Sequence, residues 1–135
     1  MCGPNAAHFT GSSRIAHSLA DPFFGPAQRL HGATYSIELE VRAPSLGPHD
    51  VVMDIGALRA VLRAVLDELD YRNLDEHAAF EGRLSTTERV AEHLAGRAAK
   101  RIAELPPDAA PAPGSSLRLL ARESPVAYAI YERPL

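Results

Sequence analysis

Two histidines, His17 and His31, stand where strand-like sequence meets turn-like sequence. Side chains alternate along a strand, so positions 31, 33, 35, 37, 39 and 41 share one face. That face reads His, Ala, Tyr, Ile, Leu, Val. An apolar face with a histidine at its mouth suits either a ligand or metal site or a capped core edge. As a metal site the pair is thin, because a catalytic zinc takes three protein ligands and keeps one position open. His8 lies nine residues before His17, roughly 30 Å away along an extended strand, unless a bulge at Gly11 shortens the path. His49, His77 and His93 read as loop or helix-surface residues.

The other chemistry-bearing residues fall in three places. Asp70 and Tyr71 sit at a helix exit. A phenol has an ordinary pKa of about 10, so Tyr71 suits a general acid or hydrogen-bond donor better than a near-neutral base. Packing against the helix end is the alternative for it. Glu123 ends the apolar strand face of Leu117, Leu119 and Ala121, where a carboxylate costs desolvation unless it is paired. It is either a ligand anchor or a strand-end charge paired with Arg122 or Arg133. Thr86, Thr87 and Glu88 open a helix, whose N–H groups attract polar or anionic groups as well as being capped. Arg29, beside His31, suits a substrate phosphate or carboxylate, or a salt bridge between subunits.

The elements that must position these groups follow from periodicity. Residues 1–7 read as a loose start and 8–19 as a first strand. Residues 20–29 carry Asp21-Pro22 and Gly25-Pro26 turn chemistry. A second strand covers 33–42, and 51–53 read as a strand end. Asp54 is a helix cap before Leu58, Val61, Leu62, Val65, Leu66 and Leu69, the apolar stripe of a helix reaching about residue 70. Residues 71–84 are irregular. Ser85 and Glu88 fit a capping box for a second helix that ends at Pro106-Pro107. Two strands, 117–123 and 126–132, close the chain. The order ββααββ predicts an α+β fold, a four-stranded antiparallel sheet with two helices on one face. Its open edges call for oligomerisation.

Composition sets the bounds. The chain has 135 residues, the size of one domain, with 46% hydrophobic residues. A net charge of −3 gives no nucleic-acid footprint. The single cysteine, Cys2, allows no intrachain disulfide and no cysteine-based metal site. There is no long apolar run and no signal-peptide pattern, so the default expectation is a soluble cytoplasmic protein without a membrane partner.

In this order the signposts resemble the 6-pyruvoyl-tetrahydropterin synthase and 6-carboxytetrahydropterin synthase family. Ile15-Ala16-His17-Ser18-Leu19 resembles its first histidine motif. Arg29-Leu30-His31-Gly32-Ala33-Thr34-Tyr35 is similar to its Leu-His-Gly-His-Asn-Tyr. Met53-Asp54-Ile55-Gly56, Leu69-Asp70-Tyr71-Arg72-Asn73-Leu74-Asp75, Thr86-Thr87-Glu88 and Glu123 with Tyr128 follow in the family's order. The resemblance implies the tunnelling fold, a homo-oligomer (a trimer or a dimer of trimers) with sites between subunits, and a small-molecule substrate. It implies that Glu123 anchors a pterin through two N–H groups; on their own residue chemistry Thr87, Glu88 and Arg29 are further candidate substrate contacts. It implies a proton relay between Asp70 and the residue at 71, and in the enzyme reading Tyr71, Asp70, His17 and His31 lie around the reacting carbon. It implies zinc on His17, His31 and position 33. The departures fall at the chemistry. Ala33 replaces a zinc-ligand histidine, Ala27 the family cysteine, and Tyr71 the relay histidine. The expectation is therefore a divergent synthase-like enzyme for a pterin-like or other planar heterocycle, with altered chemistry and zinc in doubt. The alternative is a non-catalytic ligand-binding or scaffold protein that keeps the fold.

Overall fold

A computed structural model describes residues 5–135; Cys2 lies outside the described residues. The sheet is built on a long hairpin, β1 (Asn5–His17) and β2 (His31–Ala43), paired without a break from Asn5↔Ala43 to His17↔His31. The first strand thus begins at Asn5, not after a loose stretch reaching residue 7. Asn5, Ala6 and Ala7 all have partners on the long second strand. The unbroken register also means that Gly11 forms no bulge. His8 therefore stays on the opposite face from His17, seventeen minus eight being odd.

Asp54 accepts hydrogen bonds from Gly56 and Ala57 N–H at 2.8 and 3.3 Å and starts α1 (Ile55–Asp67). Val52 and Met53 are buried, but in a bend rather than the expected strand end. The helix ends sooner than its apolar pattern suggests. Leu69 and Asp70 N–H still bond Leu66 O in the turn that leads to β3 (Arg72–Asn73). β3 pairs parallel to β1 at Ile15 and Ala16. A two-residue strand carries no readable alternation, which is why the sequence leaves it as loop. Residues 74–76 and 78–80 form two short 3-10 turns.

α2 (Thr87–Ala103) is capped by Thr86, whose hydroxyl accepts from Arg89 N–H at 3.2 Å. The expected cap was one residue earlier, at Ser85 with Glu88 as its partner. Ser85 is instead engaged by His17. β4 (Ser116–Ser124) and β5 (Ala127–Pro134) complete a five-stranded mixed sheet of order β3-β1-β2-β4-β5. The element order is ββαβαββ. The four-stranded, wholly antiparallel expectation is corrected by the parallel β3 alone.

Both helices cover one sheet face. α1 packs on β1, and α2 on β4 and β5. Close approach of α1 depends on Gly11. A Cβ there would meet Leu66 Cδ1 at 2.7 Å and Leu62 Cδ2 at 3.4 Å. The helices are joined by Glu68, which takes Arg97 through two bonds at 2.9 and 3.1 Å, with Arg101 at 3.4 Å. The Arg97 hydrogen bonds hold the Glu68 carboxyl below its ordinary range. Its contribution is therefore present at neutral pH and is lost as pH falls below the unfolded carboxylate range. The other sheet face stays uncovered, with register rows such as Ser12–Ser36–Arg122–Tyr128 and Thr10–Glu38–Leu120–Ile130. Among the described residues no helix is long and apolar enough to cross a membrane.

Gly11→Val should lower stability by about 1–3 kcal/mol in urea unfolding, because Leu66 and Leu62 are themselves in the packed core. An unchanged midpoint would contradict the close β1–α1 packing.

Candidate functional site

The unbroken hairpin delivers His17 and His31 as a cross-strand pair at one end of the sheet. Their ring centroids are 4.6 Å apart and the planes meet at 64°. His17 is buried, and its Nδ1 lies 3.0 Å from Ser85 O and 2.9 Å from Ser85 Oγ. A carbonyl can only accept, so Nδ1 carries the proton toward Ser85 O, and the Nε2 lone pair is left for the site. His31 repeats the device within its own turn, with Nδ1 donating to Arg29 O at 2.7 Å. Burial lowers the His17 pKa, and the neighbouring His31 lowers it further. The Ser85 hydrogen bond and the Asp75 and Glu123 carboxylates oppose that shift. His17 is thus held neutral, a base and acceptor at Nε2.

Ordering one imidazole nitrogen on a carbonyl is how proteins aim the other at a metal. The donor set nevertheless does not fit a three-ligand zinc. Ala33 follows His31 on the same face and offers only a methyl group. Among the described residues no three His, Cys, Asp or Glu side chains could hold a metal.

Glu123 sits one position beyond the Ser36–Arg122 pair, where the β4–β5 register shifts. Such an irregularity re-aims a side chain at a strand end. One of its oxygens, Oε2, accepts from Thr87 Oγ1 at 2.9 Å; the other has no partner among the described residues. Thr87 also hydrogen-bonds the buried Tyr35 phenol, whose pKa is raised chiefly by burial. Tyr35, Thr87 and Glu123 form a chain from core to surface. Neither Arg122 nor Arg133 pairs with Glu123. Arg122 lies over the Tyr128 ring at 4.7 Å, and Arg133 Nε donates to Pro134 O at 3.3 Å.

His17, His31, Thr87 and Glu123 therefore gather at one end of the sheet. Asp70 and Tyr71 do not join them within the chain. Asp70 accepts from Arg14 N–H at 2.7 Å and approaches the Arg14 guanidinium at 3.5 Å. Tyr71 N–H donates to Arg14 O at 2.6 Å, and its ring lies 5.2 Å from that guanidinium. Tyr71 has φ +59 and is 77% exposed, so the packed helix-end alternative is not the observed one. Its side chain stands on the β1 edge, on the opposite side of the strand from His17. Glu88 and Arg29 are exposed. Glu88 is close enough to raise the Tyr35 pKa, and Arg29 serves His31 through its carbonyl.

Sequence reasoning missed Ser85 as the His17 partner, because the capping pattern already explained it. It also missed the anchor Asp75, which takes Ser18 N–H at 3.0 Å and Ser18 Oγ at 2.6 Å beside His17. Tyr35 was visible only as a strand-face residue. Its signal was its parity with His31 and Ala33.

Thr87→Val should destabilise by about 1–3 kcal/mol in urea unfolding, since it strands the buried Tyr35 hydroxyl. Thr87→Ser, which keeps the hydroxyl, should cost less. Equal losses would contradict the Tyr35–Thr87–Glu123 chain.

Comparison with known proteins agrees with this architecture. The family profile described as 6-pyruvoyl tetrahydropterin synthase matches residues 6–134. A curated relative in Caenorhabditis elegans, a putative 6-pyruvoyl tetrahydrobiopterin synthase, is 29% identical over 93 residues, covering 67% of this chain and 66% of that protein. The solved structure of C. elegans 6-pyruvoyl tetrahydropterin synthase superposes with a TM-score of 0.79 at 22% identity, over 98% of this chain and 99% of the other. The Plasmodium vivax 6-pyruvoyl tetrahydropterin synthase gives 0.73 at 18%, over 97% and 99%. The chain belongs to the 6-pyruvoyl tetrahydropterin synthase family.

Proposed function

We propose that this protein binds a pterin-like or other planar heterocycle through Glu123 and acts on it without the family's ordinary lyase chemistry. The observation that carries the reading is the state of the Glu123 carboxylate. Thr87 fixes one oxygen at 2.9 Å, the other is unpartnered among the described residues, and the residue is exposed. A carboxylate held this way matches two N–H donors on the edge of an amino-pyrimidine, and such charge-assisted pairs are the strong ones. His17, with its pKa lowered by burial, supplies an Nε2 acceptor nearby, and the His31 ring stands beside it. They order substrate hydroxyls or take up a proton.

The altered chemistry rests on three positions. Ala27 has no thiol to act as a base, Ala33 leaves the donor set at two imidazoles, and Tyr71 offers a phenol where a relay histidine is expected. Copies assembled side by side complete the pocket in this reading. β1 residues 5–13 and β5 are the sheet edges, and the two strands run in opposite directions. Antiparallel pairing of β5 of one copy with β1 of the next places Asp70 and Tyr71, on the β1 edge, beside the Glu123 end of its neighbour. A trimer, or a dimer of trimers, then has a Tyr71 phenol as proton donor at each shared site. One observation favours binding without catalysis: both Asp70 contacts are spent on Arg14 of its own chain.

Titration with neopterin, followed by intrinsic fluorescence, tests the anchor. Glu123→Gln should weaken binding by about ten- to a hundredfold, the loss of a charged hydrogen-bond acceptor. Unchanged binding would remove the pterin reading. Dihydroneopterin triphosphate should not lose its triphosphate on incubation with the wild-type protein. Turnover would show that the ordinary chemistry survives.

A further inference from the structure

A second histidine pair lies away from the site, under the segment of residues 74–85 that joins β3 to α2. His77 caps the turn at 78–80, its Nδ1 accepting from Ala79 N–H at 3.1 Å. Its ring, the Phe80 ring and the His93 ring of α2 form a closed trio, with centroid separations of 6.0, 6.0 and 5.5 Å. Phe80 is buried. His93, read from the sequence as a helix-surface residue, has its Nε2 enclosed with no hydrogen-bond partner among the described residues.

The same segment carries both side chains that anchor the site. Asp75 holds Ser18, and Ser85 holds His17 Nδ1. It is also held to the body by this ring cluster, by buried Leu74 and by Ala79 packed against the core. We propose that the His77–Phe80–His93 cluster is an acid-sensitive latch that keeps segment 74–85 closed and so keeps His17 aimed.

The chemistry has two parts. Neutral His77 can accept the Ala79 N–H at Nδ1; imidazolium has no lone pair and cannot. A proton on His93 would sit between two rings with no acceptor for Nε2. The charged and titratable groups around His93 are His77 from the segment, Glu68 from the end of α1 and Arg97 from its own helix, with Arg83, Arg89 and Glu92 lining the same hollow. Only the carboxylates favour the proton. Glu68 is already engaged by Arg97 and Arg101, and Glu92 by Arg89. Burial first, then His77, holds the His93 pKa down. The closed segment thus binds that proton less readily than the open one. Closure is complete above the ordinary histidine range and weakens as pH falls below it.

Amide hydrogen exchange on the full-length protein, corrected for intrinsic rates, tests this without any ligand. Ala79, Glu81 and Arg83 N–H are bonded inside the segment, to His77 Nδ1, Ala78 O and Phe80 O. Their protection factors should fall by about tenfold or more between about pH 7.5 and about pH 5.5, while Val65 in α1 keeps its protection. His93→Phe, which keeps an aromatic ring, and His77→Asn, which keeps a capping acceptor, should each flatten that dependence. Constant protection in the wild type overturns the latch. So does an equal loss at Val65, which means global unfolding, or a pH dependence that both variants retain.

Discussion

The thirteen-residue pairing of β1 with β2 is the constraint on which the rest depends. Because it runs without a bulge, every odd-numbered residue from Asn5 to His17 faces the helices, and so does every odd-numbered residue from His31 to Ala43. A slip of one residue would pair odd positions with even ones, so either the Arg14 row of β1 or the Thr34 row of β2 would turn to the core, and His17 and His31 would no longer share a face. The pairing sets three things together. It leaves Gly11 where α1 must come close, it stacks Ile15, Tyr35 and Ile37 into the core, and it ends on His17 beside His31.

The second determinant is the start of α2. Three consecutive hydroxyl residues divide the work there. Ser85 holds His17, Thr86 caps the helix, and Thr87 bridges Tyr35 and Glu123. Each task needs a different direction, and the backbone supplies these as it passes from extended segment to helix. The start of α2 therefore couples the histidine pair to the carboxylate, although the two lie on different strands. The short stretch from Tyr71 to Ser85 closes the arrangement from the side. Its left-handed Tyr71 turns the chain onto the β1 edge.

Much of this was legible in the sequence because it repeats. Alternation marked β2 and the apolar face of β4, and the stripe from Leu58 to Leu66 marked α1 with its Asp54 cap. What was not legible lacked a period. β3 is two residues long, and its pairing to Ile15 and Ala16 is a tertiary contact. Ser85 was read as a cap because Ser-Thr-Thr-Glu satisfies the local pattern equally well one residue out of step. Only the position of His17, sixty-eight residues away, decides between the two. Asp70 and Tyr71 were read as pocket residues beside the histidines. The chain alone places them on Arg14, across the strand. Glu123 was correctly marked as the carboxylate at the end of an apolar face. That Thr87 holds it, rather than Arg122 or Arg133, depends on how α2 crosses β4.

The family scaffold is present, and Ala33 stands beside the two histidines of its candidate site. Both histidines have a backbone carbonyl partner at Nδ1, and Ala33 offers no ligand beside them. The site works as two imidazoles, His17 and His31, beside a hydroxyl-held carboxylate and without a third ligand. Elemental analysis of the purified protein, after dialysis against buffer with micromolar zinc, tests it most directly. Far less than one zinc per chain is expected. Zinc at one per chain, lost in a His17→Ala variant, would contradict it.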